Sequence, residues 1–339
     1  MAYATDLVRA GKILEATASL QQALAGSWSP STAPQATEHV VARKAEAKVH
    51  ILHEERAPLL EPGRFVRRSY SNRAGVRIYK VYAPASFRGQ ALPVVVMLHG
   101  CSQNPDDFAA GTRMNQLAEE LGVVVVYPAQ SSRANAKGCW NWFQAAHQRR
   151  DEGEPSLIAG ITREVLRLGL DARRVYVAGL SAGGAMAAVM GATYPDLYAA
   201  IGVHSGIAHA VARDLPSALA AMSGKKTARH NRASRGEPSA RTVPIIAFHG
   251  DQDTTVHPSN SDFAHASDAH IATERGAHNG RAFTRTTQAD AKGNPIVEQW
   301  LLHGAGHAWS GGSSGGSFTD PLGPDASREM LRFFLQHPR

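Results

Sequence analysis

Near the middle of this 339-residue chain stands Gly179-Leu180-Ser181-Ala182-Gly183, a G-x-S-x-G sequence. A serine hydroxyl attacks a carbonyl carbon well only when a base removes its proton. The setting gives the short pattern its weight. The apolar run RVYVA ends directly before it, and the small-residue run GGAMAAVM begins within it. Strand, sharp turn and helix form the setting of a nucleophile elbow, where glycines relieve crowding and the serine projects at a sheet edge. The amides after the serine, starting at Ala182 N–H, open a helix whose positive end can stabilise an oxyanion. The plainer alternative is a glycine-rich helix start carrying a hydrogen-bonded serine.

In sites of this kind the chain order is Ser, then Asp or Glu, then His. Of sixteen histidines, His307 lies in Gly304-Ala305-Gly306-His307-Ala308-Trp309, a glycine-rich loop after the last strand-like run. Such a loop carries a base to the carboxyl edge of a sheet. His303, His249 and His257 compete with it; His249 reads as a core residue and His303 as a loop cap. The acid belongs after the run VPIIAF, where His249-Gly250-Asp251-Gln252-Asp253-Thr254-Thr255-Val256 offers Asp251 and Asp253. A bland D-x-D turn or weak cation site is the alternative there. A second oxyanion donor belongs in the loop Leu98-His99-Gly100-Cys101-Ser102-Gln103 that follows PVVVML. The amide of Cys101 is the candidate.

The elements that must position these residues follow from periodicity. Ser69–Asn72 and Gly75–Tyr82 read as strands joined by a turn. Pro93–Leu98 and Val123–Tyr127 are continuous apolar runs, as in strands buried on both faces of a parallel sheet. Helical patterns cover Asp106–Leu121, Leu157–Leu168, Gly183–Tyr194 and Asp325–Leu335. Further strands fall at Val175–Ala178, Ala200–Val203, Val243–Phe248 and Ile296–Leu302. This alternation predicts the α/β class, with a mostly parallel central sheet covered by helices on both faces.

Residues 1–62 read as a separate N-terminal helical arm and linker, and 63–339 as the catalytic domain. Leu7, Val8, Ile13, Leu14, Leu20 and Leu24 recur at helical spacing before Gly26, and SWSPSTAP (27–34) has linker composition. An Ala-rich stretch from Glu38 to Glu55 repeats the helical pattern. The arm either packs on the main domain or acts as an adaptor for a partner.

Hydrophobic residues make up 43% of the chain, enough for a substantial core, and no run is long and apolar enough for a membrane helix. The net charge of +7 is concentrated. Between Val211 and Arg241, seven basic residues (Arg213, Lys225, Lys226, Arg229, Arg232, Arg235, Arg241) face two acids, Asp214 and Glu237, a local excess of +5. A patch confined to one Ser/Gly/Ala-rich stretch without interleaved aromatics reads as a solvated surface loop, not a nucleic-acid site. Two cysteines, Cys101 and Cys139, exclude a disulfide framework as the basis of the fold.

Taken in order, LHGCSQN (98–104), CWNWF (139–143), GLSAGG (179–184), HGDQDTTV (249–256), GHAWSGG (306–312) and TDPLGPDASREMLRFF (319–334) resemble the polyhydroxybutyrate depolymerase family of esterases, related to feruloyl and acetylxylan esterases. The resemblance covers about residues 65–339 and implies the α/β-hydrolase fold. It implies Ser181 as nucleophile, Asp253 as triad acid, His307 as base, and Cys101 and Ala182 N–H as oxyanion donors. It places Trp140, Trp142, Trp309 and His99 near the substrate path, with core packing the alternative for each tryptophan. It also implies a Cys101–Cys139 disulfide. No metal or organic cofactor is required. The expected activity is ester hydrolysis through an acyl-enzyme, on a poly(3-hydroxybutyrate)-type polyester first and a feruloyl or acetylxylan ester second. From a different class comes an arm that docks on polyester granules or a partner. The first thirty residues show no export signal, which favours the cytoplasm, whereas secreted relatives admit an extracellular location.

Overall fold

Valine-rich runs with no polar alternation can be satisfied only where both faces of a strand are covered, and they form the centre of the molecule. The computed structural model describes residues 59–225, 243–263 and 270–339; most of the expected N-terminal arm and most of the basic 211–241 segment lie outside them. Strands β1 (Phe65–Asn72), β2 (Gly75–Tyr82), β3 (Val94–Leu98), β4 (Val124–Pro128), β5 (Val175–Leu180), β6 (Ala200–His204), β7 (Ile245–Gly250), β8 (His270–His278), β9 (Arg281–Ala289) and β10 (Pro295–Leu302) join in one sheet. Its order is β1-β2-β4-β3-β5-β6-β7-β10-β9-β8. The six strands from β4 to β10 pair in parallel, and the two outer strands at each end pair antiparallel.

Alternate residues feed two cores. Val94, Val96 and Leu98 face one side, against α3 (Gly153–Leu166) and α4 (Ala182–Thr193). Val95 and Met97 face the other, against α1 (Pro105–Thr112), α2 (Met114–Leu121) and α6 (Ala326–Leu335). This is the expected α/β-hydrolase arrangement. The single helix expected over Asp106–Leu121 is two, because Arg113 adopts a left-handed conformation (φ 54°) that ends α1 and starts α2. Asn104 caps α1 by accepting from the amides of Asp106 and Asp107 at 2.9 and 3.0 Å.

Three features were not expected. The hairpin β8–β9 extends the sheet beyond β10, turning at Asn279-Gly280, both with positive φ. Helix α5 (Leu215–Met222) lies inside the stretch read as a basic surface loop. Short strands β11 (Trp309–Ser310) and β12 (Thr319–Asp320) pair beyond the last loop. Leu60, ahead of the expected domain boundary, is buried in the main core.

Candidate active site

Strand β5 runs straight into α4, and Ser181 between them takes φ 57° and ψ −119°, a conformation costly for a non-glycine residue. Close approach makes the flanking glycines necessary. A Cβ on Gly183 would stand 2.0 Å from the Leu98 carbonyl oxygen, and one on Gly179 2.3 Å from the Gly183 carbonyl carbon. The Ser181 amide donates to the His204 carbonyl at 2.9 Å, which fastens the turn to β6.

The loops after β7 and β10 bring Asp253 and His307 together. His307 Nδ1 and Asp253 Oδ2 are 2.7 Å apart, and both side chains are buried. Asp253 Oδ1 accepts from the amides of Thr255 and Val256, each at 2.8 Å. His249 Nε2 lies 3.3 Å from Asp253 Oδ2 and 2.8 Å from the Val256 carbonyl. Burial alone would raise the Asp253 carboxyl. The His307 charge and hydrogen bonds from His249 and His307 outweigh it and hold the group well below the usual carboxylate range.

Asp251 has another partner. Its carboxylate meets His303 Nδ1 at 3.0 Å and accepts from the Gly304 amide at 2.7 Å, on the half-exposed rim. His303 Nε2 contacts Thr284 Oγ1 at 2.9 Å. The two aspartates thus divide the work of joining these loops: Asp253 holds His307, and Asp251 clasps the loop base.

Cys101 and Cys139 are bonded, closing a sequence separation of 38 residues. The disulfide borders an open cleft together with Ser181 and Ala182. Among the described residues, the amides of Cys101 and Ala182 have no hydrogen-bond acceptor of their own. Two donors without partners beside a projecting serine are what an oxyanion site requires.

Residues 77–281 match the family described as Esterase PHB depolymerase, 205 of 339 residues. The chain belongs to this family. It is 32% identical over 251 residues to poly(3-hydroxyalkanoate) depolymerase C of Paucimonas lemoignei, covering 70% of this chain and 59% of that one. It is 30% identical over 201 residues to feruloyl esterase B of Neurospora crassa, covering 56% and 67%. The chain therefore spans about three-fifths to two-thirds of these relatives' lengths. The solved acetyl xylan esterase from Aspergillus awamori shares the fold, with a TM-score of 0.59 at 21% identity over 77% of this chain and 94% of that one.

Within this chain the four proposed substrate contacts separate. Trp142 borders the cleft, edge-on to Phe143 with centroids 5.7 Å apart. Trp140, Trp309 and His99 do not; they are buried, and their polar atoms are used internally. Trp140 Nε1 donates to the His99 carbonyl at 3.1 Å, and Trp309 Nε1 donates to Ser327 Oγ at 3.0 Å. His99 Nδ1 donates to the Gly100 carbonyl at 2.8 Å, while its Nε2 accepts from the Gln130 amide at 3.1 Å. Burial pushes His99 down to about 4, with the Gly100 bond and Asp107 opposing, so it is neutral near pH 7. Core packing, the alternative reading for each tryptophan, describes Trp140 and Trp309.

Two supporting residues escaped sequence reasoning. His204 stacks between Phe248 and Trp309, with centroids 5.7 and 5.1 Å away. Its carbonyl holds the Ser181 amide, and its Nε2 accepts from the Ser310 amide at 3.0 Å, three residues past His307. Burial first, and then the charges of His249 and His307, push it well below its ordinary value despite Asp253. It stays neutral and ties the elbow to the His307 loop. Glu154, fully buried, accepts from Asn141 N and Nδ2 at 2.8 Å each and lies 3.4 Å from Arg77. A buried carboxylate so engaged fixes the loop that carries Cys139 and Trp142. Neither residue has a local sequence signal, because their partners lie on distant strands and loops.

No helix among the described residues is long and apolar enough to cross a membrane.

Proposed function

We propose that this chain is a serine carboxylic-ester hydrolase working through an acyl-enzyme, with Ser181 as nucleophile, His307 as general base and Asp253 as the orienting acid. The buried Asp253–His307 bond carries the reading. With Nδ1 engaged by a carboxylate held ionised, Nε2 of His307 is the nitrogen left to take the Ser181 proton. As Ser181 Oγ bonds to the ester carbon, the carbonyl oxygen gains charge, which the Cys101 and Ala182 amides stabilise. His307 then protonates the departing alcohol. Water, deprotonated by His307, attacks the acyl-enzyme and releases the acid with Ser181 restored.

The substrate we favour is a short-chain polyhydroxyalkanoate or its oligomers. The likeness to poly(3-hydroxyalkanoate) depolymerase C and an apolar cleft support it. A feruloyl ester is the second reading, supported by the likeness to feruloyl esterase B and by Trp142 and Phe143 at the cleft. The disulfide favours an oxidising compartment over a reducing cytoplasm. Contact with a polyester granule would fall to residues 1–62.

The test is release of 3-hydroxybutyrate from amorphous polymer granules beside methyl ferulate hydrolysis, each with Ser181→Ala as control. Serine-dependent hydroxybutyrate release establishes the polyester reading, and ferulate turnover alone moves the enzyme to plant esters. Activity of Ser181→Ala near wild type refutes the nucleophile.

A further inference from the structure

Among the described residues, helix α5 has an apolar face that is only partly covered. Leu215, Ala218, Leu219 and Met222 fall at i, i+3, i+4 and i+7, so they share one side of the helix. All four border the cleft that holds Ser181. Ala218 is buried, whereas Leu215, Leu219 and Met222 are only half-buried. In a core-packing helix such side chains would be closed off; here they line the same cleft as Trp142 and Phe143.

The wall they form is anchored. Asp214 caps α5 in a reciprocal box with Ser217, its Oδ1 accepting the Ser217 amide at 2.9 Å. At the other end, Asn260 Nδ2 donates to the Ala221 carbonyl at 2.9 Å and the His257 amide donates to the Met222 carbonyl at 2.8 Å. His257 lies four residues beyond Asp253. The helix is thereby fixed to the loop that carries the proposed triad acid.

Among the described residues, no side chain lining the cleft carries a nitrogen or oxygen atom apart from the Ser181 hydroxyl and the Trp142 indole N–H. A hydroxyl-rich sugar placed there would find few side-chain partners for its hydrogen-bonding groups. A hydrocarbon chain has none to satisfy. The acyl group also stays covalently on Ser181 until water releases it, whereas the alcohol leaves in the first step. The apolar cleft beside Ser181 suits the part that stays.

We infer that α5 sets the acyl group this enzyme accepts, an apolar chain several carbons long, with Leu219 and Met222 as the specificity-determining side chains. The inference rests on the serine-hydrolase reading given above. Burial of one methylene is worth ~0.8 kcal/mol, about a fourfold change in kcat/KM. Selectivity across a few carbons therefore reaches tenfold or more.

The experiment measures kcat/KM for p-nitrophenyl acetate, butyrate, hexanoate and octanoate with wild type, Leu219→Trp, Met222→Ala and Ser181→Ala. Leu219→Trp narrows the cleft and lowers the hexanoate-to-acetate ratio by roughly tenfold or more, the equivalent of two buried methylenes. Met222→Ala widens it and moves the optimum to a longer chain; this variant decides the matter if the tryptophan does not fold. Ratios within about twofold of wild type in folded variants would overturn the inference, because one methylene already exceeds that. Turnover by Ser181→Ala would instead overturn the serine-hydrolase reading, so the two failures are distinct.

Discussion

Replacing both cysteines, Cys101→Ser with Cys139→Ser, separates two effects that the disulfide combines. The first is global. A cross-link spanning 38 residues of sequence removes loop-closure entropy from the unfolded chain worth about 4 kcal/mol at 25 °C. The second is local, since Cys101 bears one of the two unpartnered amides beside Ser181. Losing an oxyanion donor outright costs about 100- to 1000-fold in kcat. The loss here should be smaller, because other bonds hold the same turn. The Ser102 amide donates to the Lys137 carbonyl at 2.9 Å, and the Gly100 amide to Gln103 Oε1 at 2.8 Å. Urea unfolding of the double variant should show stability lower by about 2–5 kcal/mol, and kcat lower by roughly tenfold, a fraction of a full donor's value. Two free thiols in the native, unreduced protein would refute the reasoning, as would a double variant within about 1 kcal/mol of wild type. A stability loss with kcat intact would mean that the bond braces the fold without setting the position of the Cys101 amide.

Three further outcomes are expected. Asp253→Asn keeps the shape but loses the charge that orients His307, so kcat should fall by about 10^3- to 10^4-fold; Asp251→Asn, on the half-exposed rim, should cost less than about tenfold, and equal losses in steady-state assays would reverse the assignment of the two aspartates. The unfolded chain protonates His99 near 6.5 and the native protein near 4, so the unfolded state binds the extra proton between these values and stability falls as pH drops through that window. At ~1.36 kcal/mol per pH unit the loss reaches about 3 kcal/mol by pH 4, visible as a lower urea midpoint; a denaturation midpoint insensitive to His99→Gln across that range would contradict it. His204→Phe preserves the aromatic stack but deletes the acceptor for the Ser310 amide, and a kcat loss exceeding any change in KM would mark His204 as a positioning residue.

The elements legible in the sequence were those whose neighbours are fixed by their own pattern. Val94–Leu98 and Val124–Pro128 are apolar on both faces, so they had to lie inside the sheet. The elbow was legible because Gly179 and Gly183 have no tolerable substitute at their contact distances. Hairpin β8–β9 was not, for the opposite reason. β8 is exposed on both faces, with Ile271 67% accessible, so it shows no two-residue alternation. Its one signal was Asn279-Gly280, a turn pair suited to two positive φ angles. Helix α5 was hidden by the lysines and arginines around it, although Asp214 three residues before Ser217 is a capping pattern.

The tryptophans make the sharper point. Trp140 and Trp142 are two residues apart in a motif shared with a family of esterases, and the motif alone does not say which ring meets substrate. What separates them is the partner of each indole and the space beside it. Trp140 spends its N–H on the His99 carbonyl, inside the loop that presents Cys101, and so supports the oxyanion side from within the core. Trp142 lines the cleft, as does an α5 face that periodicity never marked as functional. The proposed triad of Ser181, Asp253 and His307 is constrained by chemistry to few residue types and by this fold to one order along the chain. The walls of the cleft are constrained only to be apolar and of the right size, a condition that many sequences meet. If α5 sets the acyl group, substrate choice rests on the residues that carry the weakest sequence signal, and acyl selectivity in α5 variants is the property that reports it.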